Sequence, residues 1–235
     1  MDYKLYNGAV TLSFDDAKHV YTVLGERVLS VTGVAAPKPA LVYWASKMAA
    51  EYVRDNLKPG VALDEIQIAE LCEAAKKAHS VISKKAANIG TLAHEKCELL
   101  AKTGIVDYPV NEQARKSFEQ FLAWWRSHKI IVHASEFKVY HVDYEYAGTG
   151  DLDLTVDGIR GITDIKTSNA IYDDYQLQIA AYSKAREREL GVKYEKGWIL
   201  RLPKDGSGFE AKPITTMDED FEAFLGLLKY YQWAA

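Results

Sequence analysis

The sequence predicts an α/β fold of the α+β type, in which helices flank a mixed central sheet. The first 130 residues show mostly helical patterns after an N-terminal hairpin, whereas strand patterns dominate from residue 131 onward. Hydrophobic residues make up 48% of the chain and charged residues 26%, and 5 Trp, 15 Tyr and 7 Phe argue against disorder. We expect the 235 residues to form one domain, with a hairpin and helical part at 1–130 and the sheet with its flanking helices at 131–235.

The N-terminal segment predicts strands. Residues 3–14 and 21–31 are rich in β-branched and aromatic residues, and Asp15-Asp16 separates the two runs. Gly25-Glu26 predicts a second turn inside the second run. We therefore expect antiparallel strands that begin the fold.

Helical patterns follow a loop marked by Pro37 and Pro39. Pro59-Gly60 separates the first helix from the second, and Gly104 suits the end of the third. Asn111 can cap a fourth helix, which runs to about residue 128 with an apolar face. The first three helices are predicted at 41–57, 63–78 and 80–102.

The second half alternates between strand and helix patterns. Three strands of a meander are separated by turns at Asp143 and Asp157-Gly158, and Asp205-Gly206 separates two later strands. The predicted strands are 131–140, 144–156, 159–166, 194–202 and 208–214, and the predicted helices are 173–189 and 218–233. This order favours a mixed sheet.

Composition excludes several classes of protein. No apolar run approaches the roughly 20 residues of a membrane span, and no signal peptide is visible. Two cysteines, Cys72 and Cys97, are too few for a four-cysteine iron–sulfur cluster or a disulfide framework. We expect a cytoplasmic protein without membrane contact, in which both thiols are small core residues.

The net charge of −4 does not by itself indicate nucleic acid. One stretch is nevertheless basic, since no acidic residue lies between Glu73 and Glu95. Its lysines form either an ordinary solvated helix face or a set of contacts to phosphates. They are Lys76, Lys77, Lys84 and Lys85.

Asp164 and Lys166 lie two residues apart on a predicted strand, so their side chains share one face and Ile165 points to the other. Such a pair is either a simple ion pair or a metal ligand beside a cation that positions water or phosphate. Asp151 follows Gly148-Thr149-Gly150, where the glycines permit a bulge or a close backbone approach. The spacing of acids after Asp151 does not fit a calcium loop.

Two helices add polar pairs at a spacing of four residues. His94 and Glu98 share a face that lies away from the stripe predicted to be buried, formed by Ile82, Ala86, Ile89, Ala93 and Leu100. They are either surface residues or part of a site, and Glu98 stands where a zinc protease motif needs its second histidine. Gln178 and Tyr182 are either a surface pair or two hydrogen-bonding groups aimed at the same site.

Taken in order, these motifs resemble the PD-(D/E)XK nuclease superfamily, specifically its RecB-type branch. The resemblance covers about residues 28–185 and extends to compact exonucleases of phages and of mitochondrial genome maintenance. It implies a restriction-endonuclease-like fold. The motifs that carry it are G-T-L-A-H-x-x-x-E (Gly90 to Glu98), Glu136, G-T-G-D (Gly148 to Asp151), D-I-K-T (Asp164 to Thr167) and Q-I-A-A-Y (Gln178 to Tyr182).

The resemblance implies a role for each motif residue. Asp151, Asp164 and the Ile165 carbonyl would bind Mg²⁺ or Mn²⁺, with His94 also approaching a metal. Lys166 would orient or activate the attacking water. Three residues would support the site: Gln178, Tyr182 and Glu98. Glu136 is a further supporting candidate, and no iron–sulfur cluster is expected.

The function that follows is a metal-dependent DNA exonuclease, acting at strand ends or on single strands in recombination, repair or replication. A phage or prophage protein in a bacterial host fits the compact size, with a recombination or single-strand-binding protein as a possible partner. The alternatives are a structure-specific endonuclease of the same fold and a non-catalytic DNA-binding or assembly module. The presence of Asp151, Asp164 and Lys166 argues against the last, because binding alone needs no metal ligands.

Overall fold

The computed structural model describes residues 1–35 and 42–234, so the predicted loop at Pro37 and Pro39 lies outside the described residues. The chain divides into two compact units. The larger comprises Met1–Pro37 and Leu92–Ala235, and the smaller comprises Lys38–Thr91. Each is described by itself.

The larger unit contains the strands and most of the helices. Its strands are β1 (Asp2–Leu5), β2 (Val10–Asp15), β3 (Val20–Val23), β4 (Glu26–Ser30), β5 (Ile130–His141), β6 (Tyr146–Val156), β7 (Ile159–Lys166), β8 (Gly197–Arg201) and β9 (Glu210–Ile214). Its complete helices are α1 (Val31–Ala35), α4 (Glu112–Ser127), α5 (Asp174–Leu190) and α6 (Met217–Ala234). Helix α2 (Val42–Asn56) belongs to the smaller unit, and α3 (Glu65–Thr103) begins there and ends in the larger one.

The predicted mixed sheet flanked by helices is confirmed. The strands pair in the order β1-β2-β3-β4-β6-β7-β8-β9, and β5 pairs with β6. The β4–β6 and β7–β8 pairs are parallel, and the other pairs are antiparallel.

Strand β6 is paired along its length on one edge and interrupted on the other. Strand β5 covers the first edge from Tyr146 to Val156. On the second edge, β4 pairs only with residues 146–147 and β7 only with residues 152–156. Residues 148–151, which hold the predicted G-T-G-D motif, therefore have no strand partner on that edge among the described residues.

Apolar side chains fill both faces of the sheet. On one face, α1, α5 and α6 pack against strand residues such as Ile162 and Ile199. On the other face, α4 and the end of α3 pack against residues such as Leu154, Ile165 and Leu200. The alternation of side chains along each strand explains how neighbouring residues supply two separate cores.

Several local predictions are confirmed. The Asn111 side chain caps α4 by accepting a hydrogen bond from the Ala114 amide at 3.0 Å. Gly104 ends α3 in the left-handed region, and its amide donates to the Leu100 carbonyl at 2.8 Å. Gly25 also has a positive φ, at the turn between β3 and β4.

Three predictions are wrong. Residues 63–78 and 80–102 form one helix, because no Gly or Pro interrupts helix-favouring residues around His79-Ser80. Residues 3–14 form two strands, because Tyr6 and Asn7 take positive φ angles in a short helical turn. Of the two thiols expected in the core, Cys97 is buried but Cys72 is exposed.

The smaller unit consists of helical segments. Ala75 and Ala78 are buried there. The stripe predicted to be buried on α3 holds for Ile89, Ala93 and Leu100, but Ile82 is exposed. All of residues 81–85 are exposed, so nothing within the smaller unit covers this stretch.

The helices of the described residues are all too short or too polar to span a bilayer.

Candidate active site

The predicted acidic residues lie where β6 and β7 diverge. The last residues paired at that end are Leu152 and Thr163. Just beyond them, the Ile165 amide donates a hydrogen bond to Asp151 Oδ2 at 2.7 Å, so a side chain bridges the two strands in place of the ladder. The carboxylate of Asp151 is thereby fixed beside the residues that follow Thr163.

Asp164 and Lys166 share one face of β7, as the alternation predicts. Lys166 Nζ lies 2.6 Å from Asp164 Oδ2, so the two side chains form a close ion pair. The side chain of Ile165 is buried in the core on the opposite face. Asp164 itself is only 3% exposed, so the strand holds an ionisable pair away from bulk water.

Helix α5 holds Lys166 from a second direction. Lys166 Nζ donates a hydrogen bond to Gln178 Oε1 at 3.0 Å. Gln178 Nε2 in turn lies 3.3 Å from Asp174 Oδ2, to which it donates. The ammonium also lies 4.7 Å from the centre of the Tyr175 ring, within the range of a cation–π contact. Lys166 is therefore in direct contact with Asp164, Gln178 and Tyr175.

His94 approaches this cluster from α3. Its Nδ1 lies 3.7 Å from Asp151 Oδ2. Burial, together with the positive charge of Lys166, lowers the pKa of His94 to about 4. The imidazole is therefore neutral near pH 7, which leaves a nitrogen lone pair free to bind a cation.

The two aspartates of the site have raised pKa values. Burial raises the pKa of Asp164 to about 6, with the Lys166 ammonium opposing and the Asp151 charge adding to the rise. Burial also raises the pKa of Asp151, although Lys166 and the Ile165 amide oppose it. One ammonium is too little positive charge to offset both carboxylates.

The donor set suits a hard divalent cation. Asp164 is buried, and its Oδ2 faces the Lys166 ammonium. Carboxylate oxygens are the ligands that Mg²⁺ prefers, and Mg²⁺ retains several waters in addition. The described residues contain no group of three or more His, Cys, Asp or Glu side chains placed to enclose a metal. A cation here would thus depend on two carboxylates, a carbonyl and water rather than on a protein cage.

Glu136 and Glu98 add negative charge near Asp151. Burial, together with the negative charges of Asp151 and Glu98, raises the pKa of Glu136 to about 7. Glu136 also has a φ of 50°, a left-handed conformation that is uncommon for a non-glycine residue. Glu98 forms an ion pair with Lys102. Backbone strain at a charged residue often marks a functional site.

Both glycines of the G-T-G-D motif are sites of close approach. A Cβ on Gly150 would lie 2.3 Å from Cζ of Phe137, and one on Gly148 would lie 2.7 Å from Cε1 of Tyr182. Tyr182 is only 2% exposed. Tyr182 therefore packs against β6 at Gly148 and leaves little exposed surface for a ligand.

The four predicted phosphate-binding lysines lie on α3 within the smaller unit. All four are exposed. Lys76 forms an ion pair with Glu73 at 2.5 Å. The other three have no carboxylate within 4 Å among the described residues. They are Lys77, Lys84 and Lys85.

Two residues beside the site were missed by sequence reasoning. Tyr175 precedes Gln178 by three positions on α5, so helical spacing alone could have indicated it. Lys204 lies in the β8–β9 turn, where its Nζ donates to the Thr167 carbonyl at 2.8 Å. No sequence spacing links residue 204 to the D-I-K-T motif, because their proximity depends on the parallel pairing of β7 with β8.

Comparisons with known proteins define no family. No model of a known protein family matches the chain, and no curated protein matches it. The fold was also compared with solved structures. It is similar to the crystal structure of SSO0001 with a TM-score of 0.34 and 14% identity, over 81% of this chain and 87% of that chain. Similarity at this level implies neither a shared family nor a shared activity.

Proposed function

We propose that this protein is a metal-dependent DNA exonuclease of the PD-(D/E)XK superfamily that hydrolyses phosphodiester bonds at strand ends or on single strands. The observation that carries the proposal is the contact of Lys166 with Asp164, 2.6 Å apart, beside the Asp151 carboxylate where β6 and β7 diverge. These are the motif residues that the RecB-type resemblance assigns to catalysis.

Asp151, Asp164 and the Ile165 carbonyl are the groups that would hold Mg²⁺ or Mn²⁺, with His94 beside them. When bound, such a cation polarises a phosphate oxygen and makes water more acidic. The raised pKa values of the two aspartates indicate that the Lys166 ammonium does not fully offset their negative charge. A divalent cation would supply the missing positive charge and favour their charged forms, which supports this assignment.

Lys166 would act on the phosphate and the water directly. Burial disfavours its ammonium form, but the charges of Asp164 and Asp151 outweigh this effect and raise the pKa of Lys166. Lys166 therefore stays protonated near pH 7. As an ammonium it would neutralise charge that develops on the phosphate and would orient the attacking water, while Gln178 and Tyr175 keep it in place.

The decisive experiment is cleavage of end-labelled DNA. Single- and double-stranded substrates would be incubated with Mn²⁺, Mg²⁺ or EDTA. The wild type would be compared with Lys166→Met, which keeps the length of the side chain but removes the charge. Lys229→Met is the matched control, because Lys229 is exposed on α6.

We expect cleavage with metal, none with EDTA, and a loss of at least 100-fold in Lys166→Met but not in Lys229→Met. Stepwise removal of nucleotides from labelled ends would support an exonuclease, and cleavage of circular DNA would instead support an endonuclease. A folded wild type that binds DNA but cleaves no substrate would replace the proposal with a DNA-binding module. Undiminished cleavage by Lys166→Met would place the active site elsewhere.

A further inference from the structure

The turn that carries Lys204 is tied to the end of β7. The Leu202 amide donates to the Lys166 carbonyl at 2.7 Å, and Lys204 Nζ donates to the Thr167 carbonyl at 2.8 Å. Lys204 therefore lies against the residue that directly follows Lys166. Its position depends on the same strand that carries Asp164.

Helix α4 fixes the same turn from the other side. Ser117 Oγ donates to the Leu202 carbonyl at 2.9 Å, and Gln120 Nε2 donates to the Pro203 carbonyl at 2.9 Å. Leu202 and Pro203 are buried. A turn anchored by side chains and by its own backbone presents Lys204 in a defined place rather than as a free surface lysine.

Lys204 has no carboxylate partner. Among residues 1–35 and 42–234, no Asp or Glu oxygen lies within 4 Å of its Nζ. Lys184, another partly buried lysine, pairs with both Glu187 and Asp218. Burial lowers the pKa of Lys204, and its positive charge contributes to the lowered pKa of His94. The ammonium thus lies close enough to affect the candidate active site, and it lacks a counter-ion.

Arg201, the neighbouring basic residue, is already engaged with protein groups. It donates to the carbonyls of Asn169 and Gly208 and lies 3.5 Å from a Glu210 oxygen. Lys204 uses one of its three N–H donors on Thr167, which leaves two for a ligand. Of these two basic residues, Lys204 is the one whose charge has no carboxylate partner among the described residues and whose N–H donors are not all used.

We propose that Lys204 binds a backbone phosphate of nucleic acid, next to the phosphodiester held at Asp151, Asp164 and Lys166. The proposal rests on the proposed nuclease function and extends it to a second contact outside the motifs. The ligand is a phosphodiester because that is the substrate proposed for the neighbouring site, and because Lys204 has two free N–H donors and no carboxylate within 4 Å among the described residues.

The test is the salt dependence of DNA binding in EDTA, which prevents cleavage. A fluorescent single-stranded oligonucleotide of about 20 nucleotides would be titrated with the wild type, Lys204→Gln, Lys204→Arg and Lys229→Gln at several salt concentrations. Each phosphate contact to a single strand contributes about 0.7 to the slope of log Kobs against log salt. We expect Lys204→Gln to lower that slope by about 0.7 and the affinity at low salt by about 3- to 10-fold.

The controls separate charge from structure. Lys204→Arg should restore the slope because it keeps the charge, and Lys229→Gln should leave the slope unchanged. A purely structural role for Lys204 would lower the melting temperature without changing the slope. An unchanged slope in Lys204→Gln, with wild type that binds and cleaves DNA, would overturn the Lys204 proposal alone. Wild type that neither binds nor cleaves DNA would overturn the nuclease proposal and this one together.

Discussion

Gly148 lies beneath the ring of Tyr182, so close that a Cβ at position 148 would lie 2.7 Å from Cε1 of the ring. The same atom would lie 3.0 Å from Cγ2 of Val31 on α1. The G-T-G-D motif therefore needs glycine here to admit two side chains that pack on the strand. This contact links α5 to the segment of β6 that ends at Asp151.

Gly148→Ala is expected to destabilise the protein by about 1–3 kcal/mol, because both neighbours belong to the buried core and have little room to move. It should also reduce cleavage, since a shift of Tyr182 would move the helix that carries Gln178. Chemical denaturation gives the free energy of unfolding. Gly226→Ala is the matched control, because nothing lies within 4 Å of a Cβ there and it lies inside helix α6. Alanine should stabilise that position by about 0.5–1 kcal/mol. Equal effects of the two substitutions would show that the close approach at Gly148 is not limiting.

The element types were predictable because periodicity reports which face of a segment is buried. The sequence also predicted the turns at Gly25 and Asp157-Gly158 and the helix cap at Asn111, since each depends on one or two residues. The continuity of α3 through His79 was not predicted, although no residue that breaks a helix lies there. The burial of Cys72 was predicted from its residue type alone, whereas its exposure is set by what packs beside it.

The site was partly predictable for a related reason. Asp164 and Lys166 were placed on one face by strand alternation, and the contact between them follows directly. The contacts of Lys166 with Tyr175 and of Lys204 with Thr167 bring together residues from different elements. Such contacts depend on how strands and helices pack, which local spacing does not specify.

Asp153 lies on the same strand as Asp151 but belongs to a structural network. Its carboxylate is fully buried and accepts hydrogen bonds from Arg160, Arg186 and the Tyr194 hydroxyl, at 2.7–3.2 Å. Asp153→Asn should destabilise the protein by about 3–5 kcal/mol, because among the described residues it removes the one carboxylate paired with Arg160 and one of the two paired with Arg186.

Thermal and urea unfolding would measure this loss, with Asp16→Asn as the control at an exposed acid. The DNA-cleavage activity of Asp153→Asn that remains folded at low temperature should be near that of the wild type. A selective loss of activity with unchanged stability would instead place Asp153 in the catalytic site.

Tyr175 is predicted to position Lys166 through its ring. Tyr175→Leu removes the aromatic face 4.7 Å from the ammonium, whereas Tyr175→Phe keeps it. A cation–π contact stabilises the charged form by about 0.5–2 kcal/mol, so we expect Tyr175→Leu to lower the cleavage rate by about 3- to 30-fold. Tyr175→Phe should lose less than about 3-fold.

The pH dependence distinguishes positioning from general damage. Loss of the ring weakens the ammonium form, so the pKa of Lys166 should fall in Tyr175→Leu and the basic limb of the pH–rate profile should move to lower pH. Tyr175→Phe should keep the basic limb of the wild type. Equal rates and profiles in both variants would mean that Tyr175 does not act on Lys166.

Glu136 provides a prediction about stability and pH. Its pKa is about 7 in the folded protein, compared with an ordinary value of 4.5. Below pH 4.5 the carboxyl is protonated in both the folded and unfolded states, so it contributes no difference. As pH rises from 4.5 to 7, the unfolded chain releases this proton first, and the folded state is progressively destabilised. Above pH 7 the penalty is complete.

Glu136→Gln should therefore stabilise the metal-free protein at pH 8 by about 1–2 kcal/mol and have little effect at pH 4.5. One pKa unit corresponds to about 1.4 kcal/mol, and the expected gain is reduced because the Glu136 side chain is partly exposed to solvent. Urea unfolding in EDTA at the two pH values measures the difference, and Glu222→Gln on the exposed face of α6 is the control. A gain that is the same at both pH values would contradict the electrostatic explanation, because glutamine keeps the backbone strain at φ 50° and differs from glutamate only in charge. Glu136→Gly removes both the carboxyl and the strain, so its difference from Glu136→Gln, expected to be the same at both pH values, reports the contribution of the backbone conformation.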